Sequence, residues 1–136
     1  MTENEINGLK HSNEPIRLRP LRGFAEFWAA MVEWSEATFG GRASRGPIGP
    51  LKHLAKEAQE AWQETDLAKR DEEIADCLFL VIDAANRAGM KAGDLLAVAW
   101  RKLEKNKART WPKSVGDEPT EHVKVSDNEA IHTVES

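Results

Sequence analysis

The sequence predicts an all-α protein of about four helices joined by short loops. Apolar residues recur at steps of three and four along four separate stretches, which is the period of one face of a helix. No stretch shows the sustained alternation of apolar and polar residues that marks a half-buried strand, and no internal repeat is visible. Because small antiparallel bundles often enlarge their core by associating, a dimer is expected.

The first two predicted helices lie on either side of a glycine-rich loop. The first begins at Leu21 and ends at Phe39-Gly40-Gly41, since glycine is the usual residue beyond a helix C-terminus. Residues 40–50 contain four glycines and two prolines and are expected to form the loop. Pro50 stands in the first turn of the second helix, whose apolar stripe continues to about Thr65.

The third and fourth helices follow a short polar break, TDLAKR. The third is predicted from about Asp71, as the N-cap, to Arg87. Its centre, CLFLVIDAA, is apolar nearly all round, which places this helix in the middle of the bundle. The fourth is predicted from about Asp94 to Arg109, with leucines on one side and basic residues on the other.

The chain is therefore divided into a flexible N-terminal segment (1–20), a helical domain (21–111) and an acidic tail (112–136) that is partly ordered at most. The formal charge of −4 comes from the tail, which holds six acidic and two basic residues, so the other 111 residues carry 17 of each sign. A balanced helical domain argues against a nucleic-acid polymer as partner, because such partners usually require a strongly basic surface.

The chain is expected to be soluble and cytoplasmic, with no membrane partner. No window approaches the ~18 consecutive apolar residues of a membrane-spanning helix, and no apolar signal segment is visible at the N-terminus. A single cysteine, Cys77, excludes an internal disulfide and a cysteine-based zinc site, and is expected in the core. The four histidines are dispersed, which argues against a histidine metal site.

Acidic residues at matching spacings on the second and third helices indicate a metal site. Glu57 and Glu60 are three residues apart, and Glu73 and Asp76 repeat that spacing. Antiparallel packing of the two helices brings these four carboxylates together, where they repel one another unless a cation lies between them. Hard divalent cations such as Mg²⁺ and Mn²⁺ prefer oxygen ligands. The alternative for the glutamates is an ordinary solvated helix face.

Two further sets of residues are candidates for substrate binding. Lys102, Asn106 and Arg109 fall on one face of the fourth helix and can contact successive phosphates, although basic residues at a helix end also suit the helix dipole. Asp83 shares a side of the third helix with Asp76, and both are expected to be buried. For these two, a functional role competes with ion pairing to Arg87 or Lys102.

The acidic motif resembles the metal-binding signature of the MazG-like, all-α nucleoside triphosphate pyrophosphohydrolases, EExxE, a spacer and ExxD. Lys56 replaces the first glutamate of that pattern and leaves the four usual metal ligands in place. Four blocks resemble the phage and bacterial dATP/dGTP pyrophosphohydrolase branch, which is MazZ-like: WSEATFG at 34–40, GPLKHLAKEAQE at 49–60, DEEIADCLFLVIDAANRAG at 71–89 and NKARTWP at 106–112. The resemblance covers residues 21–124.

The resemblance implies a MazG-like four-helix bundle that assembles as a dimer or a dimer of dimers and cleaves the α–β phosphoanhydride of a purine (d)NTP, (d)GTP and/or dATP. Catalysis would use two or three Mg²⁺ or Mn²⁺ ions per site, held by Glu57, Glu60, Glu73 and Asp76. Phosphates would be held by Lys102, Asn106 and Arg109. The base and sugar would contact Trp34, Ser35, Phe39 and Asp83. In phages that replace adenine by 2-aminoadenine, the (d)GMP product feeds precursor synthesis.

Two alternatives remain open at the level of sequence. A housecleaning pyrophosphohydrolase for dUTP, dCTP or damaged nucleotides would keep the fold and change the substrate. A non-catalytic helical interaction module would use an amphipathic face and do no chemistry.

Overall fold

In a computed structural model of the chain, residues 23–113 and 116–124 are described, and most of them lie in four helices. These are α1 (Phe24–Phe39), α2 (Ile48–Gln63), α3 (Leu67–Arg87) and α4 (Ala92–Ala108). No strand occurs in the described ranges, so the predicted all-α class is confirmed. The predicted N-terminal segment 1–20 and the last part of the predicted tail, 125–136, lie outside the described residues.

The helices are divided between two compact units, one up to Gly93 and one from Asp94 onward. In the first unit, α2 and α3 pack along each other, and α1 packs on α3. The link between α2 and α3 is only three residues long, which makes them antiparallel neighbours. The core of this unit is formed by six side chains: Trp28, Met31, Ala61, Ile82, Ala84 and Ala85. None of the described helices has the length and apolar character needed to span a bilayer.

The N-cap of helix α3 lies five residues before Asp71, the predicted N-cap. Asp66 is the N-cap, since its carboxylate accepts a hydrogen bond from the backbone N–H of Lys69 at 3.0 Å. Asp71 therefore lies inside the helix, and the predicted polar break is shorter than TDLAKR. The physical reason is that the four residues after Asp66, LAKR at 67–70, are good helix formers. Asp66 caps this turn as well as Asp71 would cap the next one.

The other predicted ends are close to the observed ones. Helix α1 ends at Phe39, followed by Gly40 at φ +94°, a conformation that non-glycine residues rarely adopt. Pro50 lies in the first turn of α2, which begins at Ile48 and ends at Gln63, two residues before the predicted end.

The centre of α3 is less buried than its apolar sequence predicts. Residues 82–87 are buried, whereas Ile74 is 54% exposed and Leu78 46% exposed. Asp76, predicted to be buried, is also exposed. Two hydrogen bonds between α1 and α3 fall in these last turns: Ser35 donates to Asp83 and Asn86 donates to Glu36.

The second unit contains α4 and the described part of the tail. Residues 121–124 return to the segment that follows α4: the backbone N–H of Val123 donates to the carbonyl oxygen of Thr110 at 2.7 Å. The rings of Trp111 and His122 contact each other with centroids 5.6 Å apart. This part of the predicted tail is therefore tied to the residues just beyond the helix.

Candidate active site

Three acidic side chains from two helices converge on one point of the first unit. One carboxylate oxygen from each of Glu57, Glu60 and Glu73 lies within 4.8 Å of the others. The three-residue spacing on α2 places the first two on one side, and the antiparallel α3 brings Glu73 to meet them. An all-oxygen set of this kind suits a hard divalent cation.

The pKa values of two facing glutamates are shifted in opposite directions. Burial raises the pKa of Glu57, but hydrogen bonds with Glu60, Glu73 and His53 outweigh that effect and lower it overall. The hydrogen bond to Glu57 raises the pKa of Glu73, and partial burial and the neighbouring negative charges add to this rise. Opposite shifts of this kind are typical of two carboxyl groups in hydrogen-bond contact, because the charge of one disfavours ionisation of the other.

Asp76 lies beside this cluster without joining the group of three converging oxygens. Partial burial raises the pKa of Asp76, and the charges of Glu57 and Glu72 raise it further. Asp76 and Glu57 line the same cavity. The fourth predicted metal ligand is therefore near the other three, on a surface that remains accessible.

His53 contacts the cluster and was not predicted as a site residue. Its Nε2 lies 2.8 Å from Oε1 of Glu57, one helical turn later, and the imidazole also lines the cavity. The dispersal of the four histidines argued against a histidine metal ligand. The four-residue spacing between His53 and Glu57 could nevertheless have predicted a side-chain contact between them on one helix face. A partner of this kind fixes the orientation of a metal-binding carboxylate.

A cavity of about 630 Å³ extends from the acidic cluster to an aromatic region. All four residues predicted to contact the base or sugar line it: Trp34, Ser35, Phe39 and Asp83. Trp34 meets Phe39 edge to face at 5.6 Å and Phe79 at 6.5 Å between ring centroids. Phe79 was not predicted here, because an aromatic residue inside an apolar run is indistinguishable from a core residue.

Arg45 of the α1–α2 loop also lines this cavity. Its Nη1 donates to the carbonyl oxygen of Phe39 at 3.1 Å, and its guanidinium lies 5.4 Å from the centroid of the Phe39 ring. These two contacts hold a cationic side chain at the cavity beside the aromatic residues.

Asp83 is buried and carries two hydrogen bonds. Its Oδ1 accepts from the Ser35 hydroxyl at 2.8 Å, and its Oδ2 lies 3.1 Å from Nε of Arg87. The ion pair with Arg87, one of the two roles considered for Asp83 from the sequence, is thus present in a residue that also lines the cavity. The Nη1 and Nη2 atoms of Arg87 are buried and have no hydrogen-bond partner among the described residues.

The three predicted phosphate-binding residues belong to the second unit. Arg109 lies one residue beyond the end of α4, not on the helix face as predicted, because the helix ends at Ala108. Its Nη1 donates to Oδ1 of Asn106 at 3.1 Å, so the two side chains are nevertheless adjacent. The indole N–H of Trp111 donates to the carbonyl oxygen of Asn106 at 2.7 Å. Lys102 is exposed on α4.

The chain is similar to proteins of known type over most of its length. The model of the family described as dATP/dGTP pyrophosphohydrolase matches residues 27–129. The Eaa protein of Salmonella phage P22 is 44% identical over 93 residues, which is 68% of this chain. The chain spans only 27% of that protein's length.

A solved structure provides a further comparison. The MazG-like pyrophosphohydrolase of cyanophage S-2L, bound to dGDP and three catalytic Mn²⁺ ions per active site, superposes with a TM-score of 0.60 at 25% sequence identity. The match covers 76% of this chain and all of the cyanophage chain.

Proposed function

Since the chain belongs to the dATP/dGTP pyrophosphohydrolase family, we propose that it hydrolyses the α–β phosphoanhydride of a purine deoxynucleoside triphosphate to the monophosphate and pyrophosphate. The observation that carries this proposal is a single cavity lined both by Glu57 and Asp76 and by the aromatic residues Trp34 and Phe39. Such a cavity offers cation ligands and a surface for a base within one space.

The acidic cluster fits a divalent-metal site. Three converging carboxylate oxygens with Asp76 beside them supply only hard ligands, which suit Mg²⁺ and Mn²⁺. We propose two or three ions per site, and the three Mn²⁺ ions of the cyanophage structure support that number. Bound divalent ions would supply positive charge against the phosphates and lower the pKa of an attacking water.

The remaining site residues have positioning roles in this proposal. The imidazole of His53 holds one oxygen of Glu57, which leaves the other oxygen for the cluster. Trp34, Phe39 and Phe79 provide rings for contact with the base. Contacts of Lys102, Asn106 and Arg109 with the β and γ phosphates are proposed on the sequence resemblance.

Both similar proteins come from phages, which supports a role in phage nucleotide metabolism. In that setting the enzyme would act in the cytoplasm of the bacterial host and would supply a purine monophosphate, including the (d)GMP needed where 2-aminoadenine replaces adenine.

A product assay tests the proposed reaction. The chain is incubated with each dNTP and NTP in Mg²⁺ or Mn²⁺, and the products are separated by chromatography. We expect purine monophosphate and pyrophosphate. Formation of the nucleoside diphosphate with orthophosphate would show cleavage of the β–γ bond instead. Much faster cleavage of pyrimidine nucleotides would favour the housecleaning alternative.

Substitutions in the cluster test the assigned site. We expect Glu60→Gln and Asp76→Asn to lower activity by several orders of magnitude while circular dichroism shows the helices unchanged. Glu33→Gln and Asp71→Asn make the same chemical changes at exposed positions away from the cavity and are expected to leave activity unchanged. Wild-type rates in Glu60→Gln and Asp76→Asn would instead favour an interaction module without chemistry.

A further inference from the structure

The aromatic part of the cavity contains two buried polar side chains. Ser35 is 2% exposed and Asp83 is 8% exposed, and both line the cavity. They come from different helices, α1 and α3, and are joined by the 2.8 Å hydrogen bond between the Ser35 hydroxyl and Oδ1 of Asp83. We call these two side chains the acceptor pair.

The hydrogen-bond directions decide what the acceptor pair presents to a ligand. A carboxylate only accepts, so the single hydroxyl proton of Ser35 is donated to Asp83. Asp83 also accepts from Nε of Arg87, whose side chain is 3% exposed. Since the Ser35 hydroxyl proton is donated to Asp83 and the carboxylate has no proton, both side chains can only accept hydrogen bonds from a ligand in the cavity.

The ion pair holds the acceptor pair in place. Arg87 lies one turn after Asp83 on α3, and its Nη atoms have no other acceptor among the residues that the structure describes. Because a buried guanidinium without its carboxylate is strongly unfavourable, Asp83 is kept as an oriented carboxylate. Arg87 is thus a positioning residue, and it does not line the cavity itself.

The position of the acceptor pair favours contact with the base. Asp83 lies seven residues beyond Asp76 on α3, a rise of about 10 Å, and it is close to the aromatic residues of the cavity. In the proposed function the phosphates lie at the other end of the cavity, where divalent ions held by the acidic cluster would attract them, whereas the unmetallated carboxylate of Asp83 repels them. The acceptor pair is therefore placed to accept hydrogen bonds from donor groups of the nucleoside.

We propose that Ser35 and Asp83 bind the N1–H and 2-amino donors of guanine and so make the enzyme selective for dGTP over dATP. This inference rests on the proposed pyrophosphohydrolase function. Adenine presents a bare N1 lone pair and no 2-amino group on the same edge. A site that hydrogen-bonds substrate donors rejects an analogue without them, since the buried acceptors are left unpaired.

A series of nucleotides tests this selectivity on the wild-type chain, where folding is not in question. Hypoxanthine keeps N1–H and lacks the 2-amino group, so kcat/KM is expected to fall from dGTP to dITP by roughly 10-fold, and by on the order of 100-fold from dGTP to dATP. A dideoxy analogue, ddGTP, lacks the 3′-hydroxyl and is expected to keep most of the dGTP rate. Equal rates for dGTP and dATP, or a loss with ddGTP as large as the loss with dATP, would overturn the proposal.

Asp83→Asn changes the acceptor pair directly. Nε of Arg87 holds the amide oxygen at the Oδ2 position, so the amide nitrogen takes the Oδ1 position and presents a donor. We expect kcat/KM for dGTP to fall roughly 10- to 100-fold and the dGTP-to-dATP ratio to fall with it. Asp71→Asn, an exposed position on the same helix, is the matched control. An unchanged ratio in a folded Asp83→Asn variant would contradict the proposal.

Binding of monophosphates separates this inference from the proposed reaction. Calorimetry with dGMP and dAMP reports base recognition without hydrolysis, and we expect tighter binding of dGMP that Ser35→Ala weakens and Ser44→Ala does not. If no triphosphate is hydrolysed while dGMP is still preferred, the proposed function fails and the inference about the acceptor pair stands. If purine triphosphates are hydrolysed without a preference for dGTP over dATP, the proposed function stands and the inference about the acceptor pair fails.

Discussion

Glu57 and Glu73 face each other across α2 and α3, and the pKa of Glu73 is raised chiefly by its hydrogen bond to Glu57. A carboxyl whose pKa is raised on folding binds its proton more tightly in the folded chain. Its stabilising contribution is therefore present below the ordinary glutamate pKa and is lost as the pH rises through the folded value. At neutral pH without metal, ionised Glu73 works against folding.

Glu73→Gln is expected to change thermal stability in opposite directions with and without metal. At pH 7 without metal, the neutral amide can donate to Glu57, which ionised Glu73 cannot, and it removes a repulsive charge, so Tm should rise by a few degrees. With saturating Mn²⁺, the wild type should gain more than the variant, because a ligand that binds only the folded state stabilises it. Differential scanning fluorimetry in EDTA and in Mn²⁺ measures both.

A control variant and a second pH test this interpretation. Glu33→Gln alters an exposed glutamate of α1 and should leave both Tm values unchanged. Near pH 4 the advantage of Glu73→Gln without metal should disappear, since wild-type Glu73 is then largely protonated. A metal-free variant less stable than wild type at pH 7 would contradict the repulsion between the two glutamates. An undiminished response to Mn²⁺ would show that Glu73 is not part of a metal cluster.

Residue spacing predicted the acidic cluster better than it predicted the residues that surround the cluster. Two i, i+3 pairs on antiparallel helices are a local pattern, and the structure brings three of the four carboxylates together. Phe79 and Arg87 were not predicted as part of the site, because their roles depend on which side of α3 meets α1, and no local pattern contains that information. The site assignments themselves stay predictions until the variants are measured.

At the level of elements, α3 depends on a cap that the sequence placed one turn too late. Both Asp66 and Asp71 precede helix-forming residues, and local propensity does not distinguish them. The backbone distinguishes the two residues. Asp66 has the extended conformation of an N-cap, and its carboxylate accepts a hydrogen bond from the backbone N–H of Lys69. Burial of α3 was overpredicted for a similar reason, since an apolar run indicates that a helix is covered without indicating what covers it.

Asp66→Ala is expected to destabilise the chain by about 1 kcal/mol, the usual cost of removing a side-chain N-cap. Urea unfolding followed by circular dichroism measures this change in the free energy of unfolding. Asp71→Ala serves as the control, because Asp71 is exposed inside the helix, and surface substitutions usually change stability by less than about 0.5 kcal/mol. If Asp71→Ala proved the more damaging of the two, α3 would begin where the sequence first suggested.

At the level of the whole molecule, α3 has two faces with different chemistry. Glu73, Asp76 and Asp83 share one side, and four apolar residues with substantial exposure share the opposite side: Leu67, Ile74, Leu78 and Val81. Their spacing of seven, four and three residues forms one continuous helical stripe. An exposed apolar stripe is typical of an interaction surface. It supports the dimer or dimer of dimers expected from the sequence, which the single chain does not test.

Ile74→Lys combined with Leu78→Lys is expected to shift the chain toward the monomer if this stripe forms the subunit interface, because two charges would be buried there without partners. Sedimentation velocity at several concentrations measures the shift. Glu33→Lys introduces the same residue at an exposed position of α1, away from the stripe, and should leave the sedimentation coefficient unchanged. An unaffected assembly in the double variant would place the interface elsewhere.

The three-residue link between α2 and α3 also bears on how quickly the site is assembled. All four predicted metal ligands fall between residues 57 and 76, so the contacts that bring them together join residues close in the chain. Contacts of low sequence separation require little loop closure, and proteins rich in them fold fast. The acidic cluster is therefore a local product of one helical hairpin, and its ligands meet as soon as that hairpin closes.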